Sequence, residues 1–211
     1  MEYIAYLLKE RQNKITGIIH LGANRCQELE CYLNLNVREE NIFWIEANPE
    51  IVNTTENIKN LSCAAISCPD NEGNVLEFYI TSNDSLSSSL YKLGDHLRIY
   101  PGIRECMKIE VVCTTLDKWY DETKSVNNSM NPNVLVMDIQ GSELDALKGA
   151  ERVLTGIDYI YTEIQNIPLY QGTCCHNEIK QYLESKGYKE IWYSYYGTAG
   201  TWGDAFYERI Q

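Results

Sequence analysis

Positive charge is scarce in this chain, where 18 Lys and Arg face 30 Asp and Glu for a formal net charge of −12. No Lys/Arg cluster offsets that balance, so phosphate-rich polymers and anionic bilayers would be repelled, and nucleic acid is not an expected partner. Long apolar runs are missing too, for none approaches the ~18 uncharged residues that a membrane span requires. The opening stretch MEYIAYLLKERQNK carries Glu2 where a secretory signal wants positive charge, and its apolar part stops at Leu8. The cytosol is the expected compartment. Eight cysteines are present, but their spacing contains no Cys-x-x-Cys pair. That argues against a zinc site or a disulfide framework and for reduced thiols.

What is present fits a chain that folds by burial, with 44% hydrophobic and 23% charged residues. A length of 211 residues suits a single α/β domain over 1–211. Apolar runs of strand length alternate with segments of helical period, the pattern of a mostly parallel sheet covered by helices on both faces. A short helix within residues 1–14, apolar at Tyr3, Ile4, Leu7 and Leu8, should pack on the sheet edge. Expected strands run over Ile15–Leu21, Ile42–Glu46, Leu61–Ile66, Val75–Thr81, Lys108–Cys113, Val134–Asp138, Tyr159–Ile164, Glu190–Tyr196 and Ala205–Ile210. Expected helices run from Cys26 to Leu35, from Asn48-Pro49 to about Lys59, over Thr114–Tyr120, over Ser142–Leu154, and over His176–Ser185 with Gly187 as its stop. DETKSVNNSMNPN reads as a polar loop.

In an open α/β sheet, ligands bind beyond the carboxyl ends of the strands, so the residues ending each strand carry the chemistry. The first strand ends in IHLGAN, residues 19–24. Its glycine turn lets backbone approach a ligand, but the second and third glycines of GxGxxG are missing and no GK[ST] occurs. A nucleoside without phosphates fits better than a dinucleotide or a nucleoside triphosphate. Glu46 ends the second strand, where a carboxylate can accept both hydrogen bonds of a ribose diol; a solvated strand-end acid is the competing reading. Asp138 and Gln140 follow the Val134 strand, and Glu163 and Gln165 end the Tyr159 strand, so the two acids should face one crevice. Carboxylates bound to loop N–H groups are the alternative. Glu143 is assigned to capping and dipole chemistry, and His176, at a helix start, ranks below the two acids as a base.

Together these strand ends resemble the FkbM family of S-adenosylmethionine-dependent methyltransferases, from about Ile18 to Tyr207. The likeness is carried by HLGAN, WIEANP, the serine run Ser85–Leu90, Thr114-Thr115-Leu116-Asp117, MDIQGSELDALKGAERVL and TEIQNIPLYQG. The resemblance implies a Rossmann-like class I methyltransferase fold, with a mostly parallel seven-stranded sheet flanked by helices. It also implies S-adenosylmethionine held by His20, Gly22, Ala23, Asn24, Glu46, Ala65, Asp138 and Gln140. His20 stands where many relatives have an acid and Gln140 where many have Glu, so contact with the methionine moiety is made differently here; a packed, satisfied His20 is the other reading.

The activity implied is O-methylation, with a carbohydrate hydroxyl as acceptor. Methyl transfer needs the acceptor oxygen aligned, water excluded and the hydroxyl proton removed, and Asp138 and Glu163 are the candidates for that work. Ser87, Ser88 and Ser89, on a mobile loop expected to close over the site, would meet the sugar with Gln165, Tyr170 and Asp204. No metal is expected. Rival readings are methylation of a polyketide-like metabolite, a non-catalytic glycan-binding domain of the same fold, and a nicotinamide oxidoreductase, which the missing glycines disfavour. A larger glycan-building enzyme is left open as the setting.

Overall fold

The computed structural model describes residues 3–210; Met1 and Glu2 of the expected N-terminal segment lie outside the described residues. Three short apolar runs form its centre, β1 (Ile18–Leu21), β2 (Ile42–Glu46) and β7 (Val134–Met137), and every residue in them is buried. Continuous burial is what a strand covered on both faces needs, and it explains why these runs do not alternate with polar residues. The flanking strands are β3 (Leu61–Cys63), β8 (Tyr159–Gln165), β9 (Tyr188–Tyr196) and β10 (Trp202–Arg209). They complete a seven-stranded sheet in the order β3-β2-β1-β7-β8-β10-β9. All neighbours are parallel except β10, which runs antiparallel to both β8 and β9. A second sheet of three strands holds β4 (Ala65–Ile66), β6 (Glu105–Thr114) and β5 (Val75–Thr81).

The seven strands separate two apolar layers. Ile19, Leu21, Phe43, Leu135 and Met137 pack to one side, with Leu147 of α6 (Glu143–Lys148) and Leu183 of α7 (His176–Ser185). Ile18, Trp44, Val134 and Val136 pack to the other, with Tyr32 of α2 (Leu29–Asn34) and Ile4 and Leu8 of α1 (Ile4–Lys9). The helix α1 therefore covers a sheet face rather than an edge. Its following Arg11 lies over the Tyr159 and Phe206 rings and pairs with Glu208 at 2.9 Å.

The remaining helices are α3 (Pro49–Thr54), α4 (His96–Ile99) and α5 (Leu116–Val126). Several boundaries differ from expectation for local reasons. The α3 helix stops at Thr54, well before Lys59, and Asn57 and Asn60 beyond it hold left-handed φ of 60° and 52°. The Leu61–Ile66 segment splits at Ala64, whose N–H donates to the Glu46 carbonyl while β4 leaves to pair with β6. The stretch after Thr114 is a longer helix than its polarity suggested. Thr115 caps it, Leu116 and Trp119 bury its inner face, and the polar residues of DETKSV occupy the outer one. The segment 142–154 instead breaks after Lys148, at Gly149, where an added Cβ would lie 2.2 Å from the Ser67 carbonyl oxygen. Among the described residues, no helix is long and apolar enough to cross a membrane.

Candidate active site

The chain order reverses between β1 and β7: β2 and β3 lie on one side of that junction and β8 on the other. Loops leaving the carboxyl ends of β1 and β7 therefore diverge and open a crevice. A cleft of about 920 Å³, mouth included, lies there, lined by the ends of β1, β2 and β7, by Ala64–Ile66, and by Phe78, Ser85, Leu86, Ser88 and Leu90.

Gly22 makes the first turn. It has φ 78°, and a Cβ on it would fall 1.8 Å from the Asp138 carbonyl oxygen, so only glycine allows the β1 and β7 loops to meet this closely. The amides of Gly22 and Ala23 both donate to the Ile45 carbonyl, tying this turn to β2. Glu46 faces the cleft with its carboxylate held by two backbone donors, Asn24 N at 2.9 Å and Asn48 N at 2.8 Å. Burial raises its pKa above the usual carboxylate range, and those amide hydrogen bonds oppose the rise. Each oxygen keeps a second lone pair for a ligand hydroxyl. Around it the wall is apolar, with Ile45, Ala47, Ala64, Ala65, Ile66 and Phe78. Toward β7 it turns polar, with Asn24, Gln27, Glu28, Asp138 and Gln140. An apolar slot, a fixed strand-end carboxylate and a polar recess, in that order, fit an adenine, a ribose diol and an amino-acid tail.

A row of acids continues from the polar end. Asp138 follows Met137 as Glu163 follows its register partner Thr162, and Glu163 in turn pairs with Asp204 across β8 and β10. Asp138 is half-buried on the cleft wall. Its Oδ1 accepts from Gln140 Nε2 at 2.5 Å, and it also takes a hydrogen bond from Glu163. Burial raises the pKa of Asp138, while those two bonds favour its charged form. Glu163 is buried behind Gln140; desolvation and the neighbouring Asp138, Glu143 and Asp204 charges hold its pKa well above the usual range. Glu163 is thus a donor to Asp138 and not a wall residue of the cleft, which corrects its expected place beside the acceptor. Asp204, raised to about 6 chiefly by burial, accepts from the Tyr161 hydroxyl at 2.6 Å. It is enclosed in the sheet and is not available to fix a sugar diol.

Of the other expected cofactor residues, Gly22, Asn24, Ala65 and Gln140 line the cleft with Glu46 and Asp138, but His20 and Ala23 do not. His20 points to the opposite layer, bonded to the Tyr32 hydroxyl at 3.0 Å and packed 5.0 Å from Trp44, and burial lowers its pKa to about 3. Side chains alternate along a strand, so His20, two places after Ile18 and in register with Trp44, joins their layer. Ala23 is buried in that same layer.

The serine run is pinned rather than free. Ser87 N and Ser88 Oγ bond to Thr81, and Ser89 Oγ donates to the Gln140 carbonyl at 2.7 Å. Ser88 alone of the expected three lines the cleft, beside Ser85 and Leu86, to which sequence reasoning assigns no contact. Tyr170 is buried and donates to Gln140 Oε1 at 2.6 Å, and Gln165 accepts from Leu169 N at 3.0 Å, so neither reaches the cleft. Gln165 and His176 border a separate hollow, where the two ring nitrogens of His176 are engaged by Tyr195 and Glu190. Glu143 shapes the β7 loop, accepting from Ile139 N and Gly141 N at 3.0 and 2.9 Å, with its pKa raised to about 8 by burial. Glu28 and Phe78 also line the cleft without a signal in the sequence: Glu28 sits in the irregular turn before α2, and Phe78 has the pattern of any inward residue of a strand. Among the described residues, no group of three His, Cys, Asp or Glu is placed to hold a metal ion.

Comparison with known proteins finds methyltransferases throughout. The 2-O-methyltransferase NoeI of Sinorhizobium fredii is 26% identical over 165 residues, a match covering 74% of this chain and 65% of that protein. The present chain thus spans just under two thirds of that relative's length. The crystal structure of methyltransferase FkbM from Methylobacillus flagellatus superposes with a TM-score of 0.51 at 15% identity, over 91% of this chain and 43% of that one. An S-adenosylmethionine-dependent methyltransferase from Clostridium acetobutylicum gives 0.51 at 8% identity, over 98% and 90% of the two chains. At such identities these superpositions establish the shared class I methyltransferase fold. The family model of the methyltransferase FkbM domain matches residues 20–190, so the chain belongs to the FkbM family of S-adenosylmethionine-dependent methyltransferases.

Proposed function

We propose that this protein transfers a methyl group from S-adenosylmethionine to a hydroxyl of a carbohydrate, in the cytosol, with Asp138 receiving or orienting the hydroxyl proton. The cofactor supplies an electrophilic methyl group on a sulfonium sulfur. What remains for the protein is to hold the cofactor, bring an oxygen into line and take its proton. Glu46 would hold the ribose diol, and the Gly22 turn with Asn24 would border the methionine end; Ala65 would lie against the base. The observation that carries the reading is Asp138 itself, a half-buried carboxylate with a raised pKa on the wall of that cleft. A carboxylate whose pKa is raised is a better proton acceptor than one in water.

Oxygen as the accepting atom is supported by the Sinorhizobium relative, a 2-O-methyltransferase. A carbohydrate as the bearer of that oxygen is supported by the hydroxyl and amide groups of Asn24, Gln27, Ser85 and Ser88 around the mouth. The eight free thiols suit a reducing compartment. The test is Asp138→Asn, assayed by mass spectrometry of glycans incubated with isotopically labelled cofactor. Methylation should fall by a factor of about 100 or more, while calorimetry shows S-adenosylhomocysteine still binding. Unchanged turnover removes Asp138 from the reaction, and label appearing only in non-carbohydrate metabolites replaces the acceptor.

A further inference from the structure

Gln140 makes more contacts than a cleft-wall amide needs. Its Nε2 donates to Asp138 Oδ1 at 2.5 Å and to Glu163 Oε2 at 2.8 Å, while its Oε1 accepts from the Tyr170 hydroxyl at 2.6 Å. An amide has two N–H donors on one side and an acceptor on the other, so only one orientation satisfies all three partners. Turned over, it would set its carbonyl oxygen against the Asp138 carboxylate. Tyr170 enforces the choice, because its approach to Gln140 is shorter than its 3.2 Å approach to the Ser87 carbonyl, and the phenol has one proton to give. The backbone serves the same end. Gln140 sits in the left-handed region at φ 55° and Gly141 follows at 99°, with the turn held by Ser89 and by the Glu143 carboxylate.

We propose that Gln140 is a positioning residue whose amide, oriented by Tyr170, holds Asp138 toward the cleft in its proton-accepting form. The loops bearing Tyr170 and Ser87 thereby reach the acid through one side chain. This inference rests on Asp138 being the acceptor-facing acid. The titratable groups around Asp138 are the carboxyls of Glu28, Glu46, Glu143, Glu163 and Asp204, with the Tyr161 and Tyr170 phenols. When ionised, the carboxyls of Glu28, Glu46, Glu143 and Asp204 disfavour the charged form of Asp138 by like-charge repulsion, whereas the Gln140 amide, like the hydrogen bond from Glu163, favours it.

Carbon-13 titration of the carboxyl groups in the free protein tests this, with the Asp138 signal assigned by its loss in Asp138→Asn. In Gln140→Leu the Asp138 midpoint should rise by roughly one pH unit or more. Tyr170→Phe, which frees the amide to turn, should raise it in the same direction, with S-adenosylhomocysteine binding retained. An unmoved midpoint in both variants overturns the proposal, and an unmoved midpoint with cofactor binding lost makes Gln140 a cofactor contact instead. Should Gln140→Leu fail to fold, Tyr170→Phe decides alone. Because the titration needs neither acceptor nor methyl transfer, failure here is separate from failure of the methylation reading.

Discussion

His20 shows how one side chain's role is set by the layer it enters. Its ring is fully buried between Tyr32 and Trp44 and stays neutral, with a pKa of about 3 against an ordinary 6.5. A histidine whose folded pKa is lowered contributes stability that is complete above pH 6.5 and is lost as the pH falls toward 3, because the unfolded chain takes up the proton first. Subtracting the melting curve of His20→Gln from that of the wild type, across pH 7 to 4, should therefore leave a term that declines with acid. A flat difference would show that the ring titrates normally. The buried carboxyls act in the opposite sense. Glu143, raised to about 8, favours the folded state at low pH and loses that contribution between about pH 4.5 and 8. Asp138 and Glu46 are legible from the sequence because each ends an apolar strand. The division of labour between Asp138 and Glu163 is not, since it depends on an amide reaching both from the next loop.

Among the elements, the β1 turn is the least replaceable. Gly22→Ala combines a left-handed φ with a Cβ 1.8 Å from the Asp138 carbonyl oxygen, so the β1 and β7 loops must separate. The expected result is a stability loss of about 2 kcal/mol or more in urea denaturation, together with loss of S-adenosylhomocysteine binding, because the displaced loops carry Asn24 and Asp138. Wild-type binding in that variant would show that the turn has room to yield. The glycine is readable as a turn, but the clash that requires it involves a carbonyl more than a hundred positions away. The serine run teaches the same point. Ser85–Leu90 reads as a loose polar loop until its bonds to Thr81 and Gln140 make it a wall. The α5 helix extends past its expected end because polarity alone does not separate a loop from the outer face of an amphipathic helix.

At the scale of the molecule, stability rests on two apolar layers either side of one sheet, and α1 closes one of them. Leu8 is fully buried there with Ile18 and Phe206. Leu8→Ala should cost about 2 to 5 kcal/mol in chemical denaturation, with the cofactor affinity of the folded variant unchanged, since the cleft draws no residue from α1. A loss of affinity at full folding would mean that the helix reaches the site.

The alternation of buried runs with helical segments, the glycine turn and the acids at strand ends are properties of neighbouring residues. They are therefore sufficient to indicate the class of fold and the positions of Glu46 and Asp138, while the family shows in the ordered motifs from HLGAN to TEIQNIPLYQG. Which face a strand residue joins, which loop is pinned and which acid is shielded depend on contacts between segments far apart in the chain. Strand parity sends His20 away from the cleft, and the register of β8 against β10 encloses Asp204. Only packing of the completed sheet decides such matters, because a side chain's surroundings are supplied by other strands and not by its own.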